Sequence, residues 1–120
     1  MPIQSYRDLE AWKIGMDLVT AVYGMTRAFP REELYGLTSQ LRRAAVSIPS
    51  NLAEGHQQGT KSYAHFVSVA IGSLAEVETQ VEVAKRLLYV SAQDISPVSN
   101  LAGQVRRLLH GLRRSLQARS

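Results

Sequence analysis

An all-α, antiparallel up-and-down four-helix bundle is the fold that this 120-residue sequence predicts. Three observations predict it. Tyr63, Phe66, Ala70, Leu74, Val77, Val81, Ala84 and Leu88 follow one another at spacings of three and four, the seam of left-handed bundle packing. Three more segments repeat apolar residues at helical spacing, with proline- or glycine-marked connections between them. No segment alternates apolar and polar residues as a half-buried strand would. The expectation is a single domain over 1–120, with helices at about 6–29, 37–54, 62–89 and 97–117, neighbours antiparallel because their connections are short.

The first helix is expected to start at a capping box, Ser5 with Asp8, and to stop before Pro30. It carries two apolar stripes. Leu9, Trp12, Met16, Val19 and Tyr23 form one; Ile14, Leu18, Val22, Met25 and Phe29 form the other. Together they sweep about half the helical wheel, more than a surface helix of a monomer needs. Either this helix is the most buried of the four, or Ile14, Leu18, Val22 and Met25 meet another subunit.

The second helix lies in LTSQLRRAAVSIPSNLAEG, Leu37–Gly55. Leu37, Leu41, Ala44, Ala45, Ile48 and Leu52 make its inner face, Arg42 and Arg43 point away, and Gly55 is expected just past its end. Pro49 sits inside it. Proline has no N–H and crowds the carbonyl four residues back, so a kink at Pro49 is expected and the Ala45 carbonyl needs another donor. Ser47, Ser50 and Asn51 are near enough to help. Two alternatives stand beside the kinked helix: a polar pocket of Ser47, Asn51 and Glu54, or two short helices with Ser47 as a cap.

The third helix, from about Ser62, would be about 40 Å long at 1.5 Å per residue. SAQDISP, Ser91–Pro97, reads as the last turn. The fourth helix then buries Val98, Leu101, Ala102, Val105, Leu108, Leu109, Leu112 and Leu116.

Composition narrows the function. There is no cysteine, hence no disulfide, thiolate metal site or cysteine nucleophile. No signal peptide and no membrane-spanning run is read, which fits a soluble cytoplasmic protein without a membrane partner. GHQQGTKS, Gly55–Ser62, fails as a phosphate-binding loop: three residues separate its glycines where four are needed, and Thr60 precedes Lys61. No glutamate has a histidine three residues later, as a di-iron bundle requires. His56, His65 and His110 fall on different elements and read as loop or surface residues. Glu76, Glu78 and Glu82 read as a solvated face or an intersubunit charge surface. Nothing resembles a catalytic motif, so no enzyme, cofactor or metal is expected.

The net charge of +4 is unevenly spread. Residues 1–94 hold nine Lys/Arg and ten Asp/Glu, whereas residues 95–120 hold five arginines and no acid. Arg106 and Arg113 are two turns apart on one side of the fourth helix, with His110 between them and Arg107 and Arg114 alongside. His110 would add charge at lower pH. Arginine presents a planar fork suited to phosphate. These five residues are the candidate nucleic-acid contacts; a merely solvated face, favoured by cations at a helix C-terminus, is the competing reading.

Leu37–Gly55, with Phe66–Gln80 (FVSVAIGSLAEVETQ), Ala84–Val90 (AKRLLYV) and the opening YRDLEAW, resembles the four-helix-bundle proteins encoded in intervening sequences of 23S ribosomal RNA genes. The resemblance spans about residues 6–116. It implies an up-down bundle and a homopentameric ring, with no settled function. That family is similar to the accessory proteins of diversity-generating retroelements, basic pentamers that bind nucleic acid and a reverse transcriptase. Two readings follow: a non-enzymatic oligomer binding RNA or DNA through its C-terminal helix, or a structural, protein-binding scaffold.

Overall fold

The structure, a computed structural model, describes residues 5–119; residues 1–4 and 120 of the expected domain lie outside the described residues. Four helices fill it: α1 (Glu10–Thr26), α2 (Leu37–Gln58), α3 (Thr60–Arg86) and α4 (Ala92–Arg119). Short 3-10 turns at Tyr6–Asp8 and Arg31–Glu33 precede α1 and α2. Each helix packs on its sequence neighbours, and α1 on α4 closes the ring. The bundle measures 45 × 24 × 20 Å.

Cross-helix contacts give the directions. Gly15 of α1 lies against Ile48 and Pro49 of α2, and Arg42 of α2 bonds Thr26 of α1. As one number rises the other falls, so the pair is antiparallel. Gly55 against Phe66 and Ser47 against Ser73 show the same for α2 and α3.

The predicted seams form the core. Leu18 and Val22, Leu41, Ile48 and Leu52, Val67, Leu74 and Val77, and Val98, Val105 and Leu109 are almost fully buried. Each such side chain contributes about 1.5–3 kcal/mol on leaving water. Thr26, also buried, has its hydroxyl fully used: it donates to the Val22 carbonyl at 2.8 Å and accepts from Arg42 Nε at 2.8 Å. The Arg42 guanidinium then lies 4.5 Å over the Tyr23 ring. Arg42, expected to point away from the apolar seam, straps α2 to α1.

α2 starts at Leu37 as expected, and the other helix ends are shifted. Ser5 caps the 3-10 turn by accepting from Arg7 N at 3.2 Å, and extended Leu9 delays α1 until Glu10. Gly55 is not past the end of α2 but inside it, buried. A Cβ there would stand 2.7 Å from Phe66 Cβ and 3.3 Å from Tyr63 Cα, so only glycine lets α3 come this close. The chain reverses one turn later at Gly59, with φ 95°, a left-handed value that glycine adopts without a steric cost.

α3 stops at Arg86. The Tyr89 N–H bonds the Ala84 carbonyl and the Leu88 N–H bonds the Lys85 carbonyl, both at 3.0 Å. This is a Schellman cap. Its left-handed position is held by Leu88, φ 63°, which costs roughly 1–2 kcal/mol that glycine would avoid. The seam therefore ends before Leu88, which is 87% exposed.

α4 starts earlier than expected, because Ser91 and Asp94 form a reciprocal capping box: Asp94 N donates to Ser91 Oγ and Ser91 N to Asp94 Oδ2. Pro97 lies inside the helix, and its missing N–H would have served the exposed residue Gln93.

α2 runs unbroken through Pro49, which removes the two-helix alternative. The proline ring is buried against Gly15, where an added Cβ would sit in ordinary contact, 3.7 Å from Ile48 and 3.8 Å from Pro49. Of the side chains near the Ala45 carbonyl, Asn51 gives its amide to Ser47, at 2.7 Å to the carbonyl and 2.8 Å to Oγ. Ser47 Oγ lies 2.9 Å from Ser73 Oγ on α3. Glu54, the third member of the expected polar pocket, is exposed.

At the opposite end Glu33 joins two connections. Its Oε1 accepts the Leu37 N–H at 3.1 Å and its Oε2 accepts the Tyr89 hydroxyl at 2.7 Å. The tyrosine bond first, and the backbone donor second, hold the Glu33 carboxyl below its ordinary pKa; the same bond holds the Tyr89 phenol above its own.

Two predictions follow from these contacts. Gly55→Ala is expected to lose about 1–3 kcal/mol in urea unfolding through overpacking, whereas Gly15→Ala gains up to about 1 kcal/mol of helix propensity. Because the folded Glu33 pKa is lowered, its contribution is complete above the unfolded carboxylate range and fades as pH falls through the lowered value. Tyr89 supplies the alkaline counterpart, lost as pH rises past the ordinary phenol range. Tyr89→Phe is therefore expected to move the acid unfolding midpoint upward, read by circular dichroism against pH.

Candidate nucleic-acid interface

The Ser91–Asp94 box fixes the start of α4, and Val98, Val105 and Leu109 turn its inner face to the core. The five predicted contacts fall on or beside the outer face, and the structure treats them differently. Arg106 pairs through Nη2 with Oε2 of Glu78 on α3, both side chains about two-fifths exposed. The pair closes one side of a groove of about 280 Å³ between α3 and α4 that also holds Glu82, Lys85 and Ser99. Such an exposed pair is worth about 0–1 kcal/mol, yet it neutralises Arg106. The absence of acid from residues 95–120 did not show this, because the acid comes from the facing helix.

Arg113 is half-buried, its Nη2 3.2 Å from His110 Nδ1. Arginine has only donors, so Nδ1 is the acceptor in this contact, and His110 orients Arg113. Arg107 and Arg114 are exposed and fold back over glycines: a Cβ at Gly103 would lie 3.7 Å from Arg107 Nη1, and one at Gly111 3.8 Å from Arg114 Nη2. Neither is in an ion pair among the described residues.

Folding adds what α4 alone does not carry. Counted by residue number on either side of Gly15, Pro49, Ser73 and Arg107, the half that holds the Gly59 turn and the C-terminal end of α4 has seven basic and three acidic residues. The other half has seven of each. The excess of basic residues therefore lies towards one end, where Arg7, Lys13, Lys61 and Arg119 join Arg107, Arg113 and Arg114. Sequence reading missed these four because they are scattered over the other elements; the bundle's antiparallel register is the signal that would have gathered them. All three histidines lie in the same half. His56 Nδ1 and the Tyr63 hydroxyl are buried there without a hydrogen-bond partner among the described residues, the two rings edge to face at 5.7 Å. Burial pushes the Tyr63 phenol up to about 12, opposed by the charge of Arg119.

The expected intersubunit stripe is corrected by burial. Leu18 and Val22 are fully buried and Met25 nearly so within the single chain, with Ile14 half-buried beside them. They pack the chain's own core and offer no such surface. Of the other stripe Leu9 is buried and Trp12 and Val19 are half-buried, and two residues are exposed. Met16 is 41% and Tyr23 39% exposed, and Val46 of α2 flanks them at 39%.

A second groove, about 370 Å³, runs between α2 and α3, lined by Gln40, Arg43, Ser47, Ser73, Glu76 and Gln80. Among the described residues no group of three or more His, Asp or Glu side chains is placed to hold a metal ion, and no helix is long and apolar enough to cross a membrane. Gly55–Ser62 is mostly helix, so it makes no phosphate-binding loop.

A four-helix bundle with polarised charge is the class that fold and surface define. The chain belongs to the 23S rRNA-intervening sequence protein family, whose model matches residues 7–111. The family is not a known enzyme family. No curated protein matches the chain as a relative.

Proposed function

We propose that this chain is a non-enzymatic, self-associating bundle that holds the sugar–phosphate backbone of RNA or DNA at its basic end. One observation carries the reading: folding collects the excess of basic residues towards the end of the Gly59 turn and the C-terminus of α4. Arg107 and Arg114 are exposed there with both forks open to phosphate. Contacts from such forks go to phosphate, so binding is electrostatic and weakly sequence-specific. Self-association through Met16, Tyr23 and Val46 repeats the basic end in each copy, and several weak sites then act together. A pentameric ring is the arrangement that the family resemblance implies. Neutralisation of Arg106 by Glu78 favours a second reading, a protein scaffold with no nucleic-acid role.

Fluorescence anisotropy with labelled single-stranded RNA and duplex DNA over a salt series separates the two. Affinity is expected to fall steeply with salt. Arg107→Glu with Arg114→Glu weakens binding and flattens the log–log slope by about 0.7 per lost phosphate contact on a single strand. Glu78→Gln frees Arg106 and strengthens binding. If both variants bind as the parent does, the scaffold reading replaces this one.

Light scattering tests the association. Met16→Glu with Val46→Glu is expected to give a folded, smaller species, and an unchanged mass removes that face from the interface.

A further inference from the structure

The end of the bundle opposite the basic half carries a surface that the nucleic-acid reading does not use. Two connections meet there. One runs from α1 to α2 and bears Leu34 and Tyr35, 47% and 92% exposed. The other runs from α3 to α4 and bears Leu87 and Leu88, 50% and 87% exposed. The Tyr89–Glu33 hydrogen bond and the Phe29–Tyr89 ring contact, with centroids 5.6 Å apart, pin these connections side by side. Four large apolar side chains are thus held at one tip on a rigid base.

Leu88 makes the tip unusual. Its backbone occupies the left-handed position of the Schellman cap, where glycine is unstrained. The strain secures no interior packing, because the side chain stands 87% in solvent. A strained residue whose side chain is used by nothing within the fold points to a use outside it, and an apolar tip of this kind marks an interaction surface.

Charge chooses the occupant. The half of the bundle that ends in this tip has seven basic and seven acidic residues, net zero. Nucleic acid and an anionic membrane both call for an excess of cations, which lies at the other end. A second copy of the same half meets no net repulsion, and its mixed charges, Arg31 beside Glu32 on one connection, can face their opposites across a two-fold axis. The same patch then serves both partners.

We propose that the Leu34–Tyr35 and Leu87–Leu88 tip is an isologous docking surface for a second copy of this chain. Two bundles, or two rings of bundles, stand tip to tip with their basic ends outward. This does not depend on nucleic-acid binding, and it is separate from the side-by-side contact through Met16, Tyr23 and Val46.

Sedimentation velocity of the full chain at high protein concentration tests it. Leu88→Gly removes the side chain and relieves the left-handed backbone, so its melting temperature is expected to rise while the mass of the largest species halves. Tyr35→Ser is expected to halve the mass with the melting temperature unchanged. A gain in stability alongside a loss of assembly cannot come from misfolding. If both variants keep the parent mass, or the parent shows no species twice the size that either variant forms, the proposal is overturned. It is equally overturned if the parent pellets with phosphatidylserine vesicles and Leu88→Gly does not, because the occupant is then a membrane.

Discussion

The close approach of α2 and α3 at Gly55 is the constraint on which the rest of the bundle depends. Phe66 and Tyr63 fill the space where a side chain at position 55 would stand. The two helices reverse on Gly59 alone, and no slack in a loop separates them. Their separation is therefore set at the turn and kept along the pair, so that one turn after another Leu52, Ile48 and Ala45 face Val67, Ala70 and Leu74 in a dry seam. The Ser47–Ser73 bond lies on the outer edge of that seam, where two short hydroxyls fit between closely spaced backbones. α1 then docks on α2 through the Gly15–Pro49 contact, and α4 closes the remaining side.

Pro49 takes on a meaning that its absent N–H alone does not supply. A proline inside a helix costs a hydrogen bond, yet here its ring is a flat, buried packing element set against a glycine of the next helix. Gly15 and Pro49 are both poor helix formers, and they meet. Two local defects in separate helices meet at one crossing, in ordinary van der Waals contact.

The fold was legible because its signals are periodic. The seams of α2, α3 and α4 depend on spacings of three and four, and burial follows those spacings closely. Helix ends were less legible because they depend on a few hydrogen bonds. Gly55 looked like a terminator because glycine serves both as a helix stop and as a site of close approach, and only the neighbouring helix tells these apart. Leu88 fitted the heptad, but the Tyr89–Glu33 bond and the Schellman geometry end the helix first. On α1 two apolar stripes were visible, but the sequence did not tell which one the core would take. The site was half legible. The arginines of α4 were plain in the composition, whereas their partners, Glu78 and His110, depend on register and rotamer.

The single-residue turn at Gly59 also bears on how the chain folds in time. α2 and α3 make the most extensive helix pair, and their contacts join residues close in sequence. Little loop-closure entropy is spent in forming such a hairpin, so a nucleus of α2 and α3 is the fast route into the bundle. The α1–α4 seam joins opposite ends of the chain and closes last. Destabilisation within the hairpin then slows folding, whereas destabilisation along the α1–α4 seam chiefly hastens unfolding. The first and last helices, which carry the exposed Met16 and Tyr23 and five of the eleven arginines, are in kinetic terms the detachable half of the molecule.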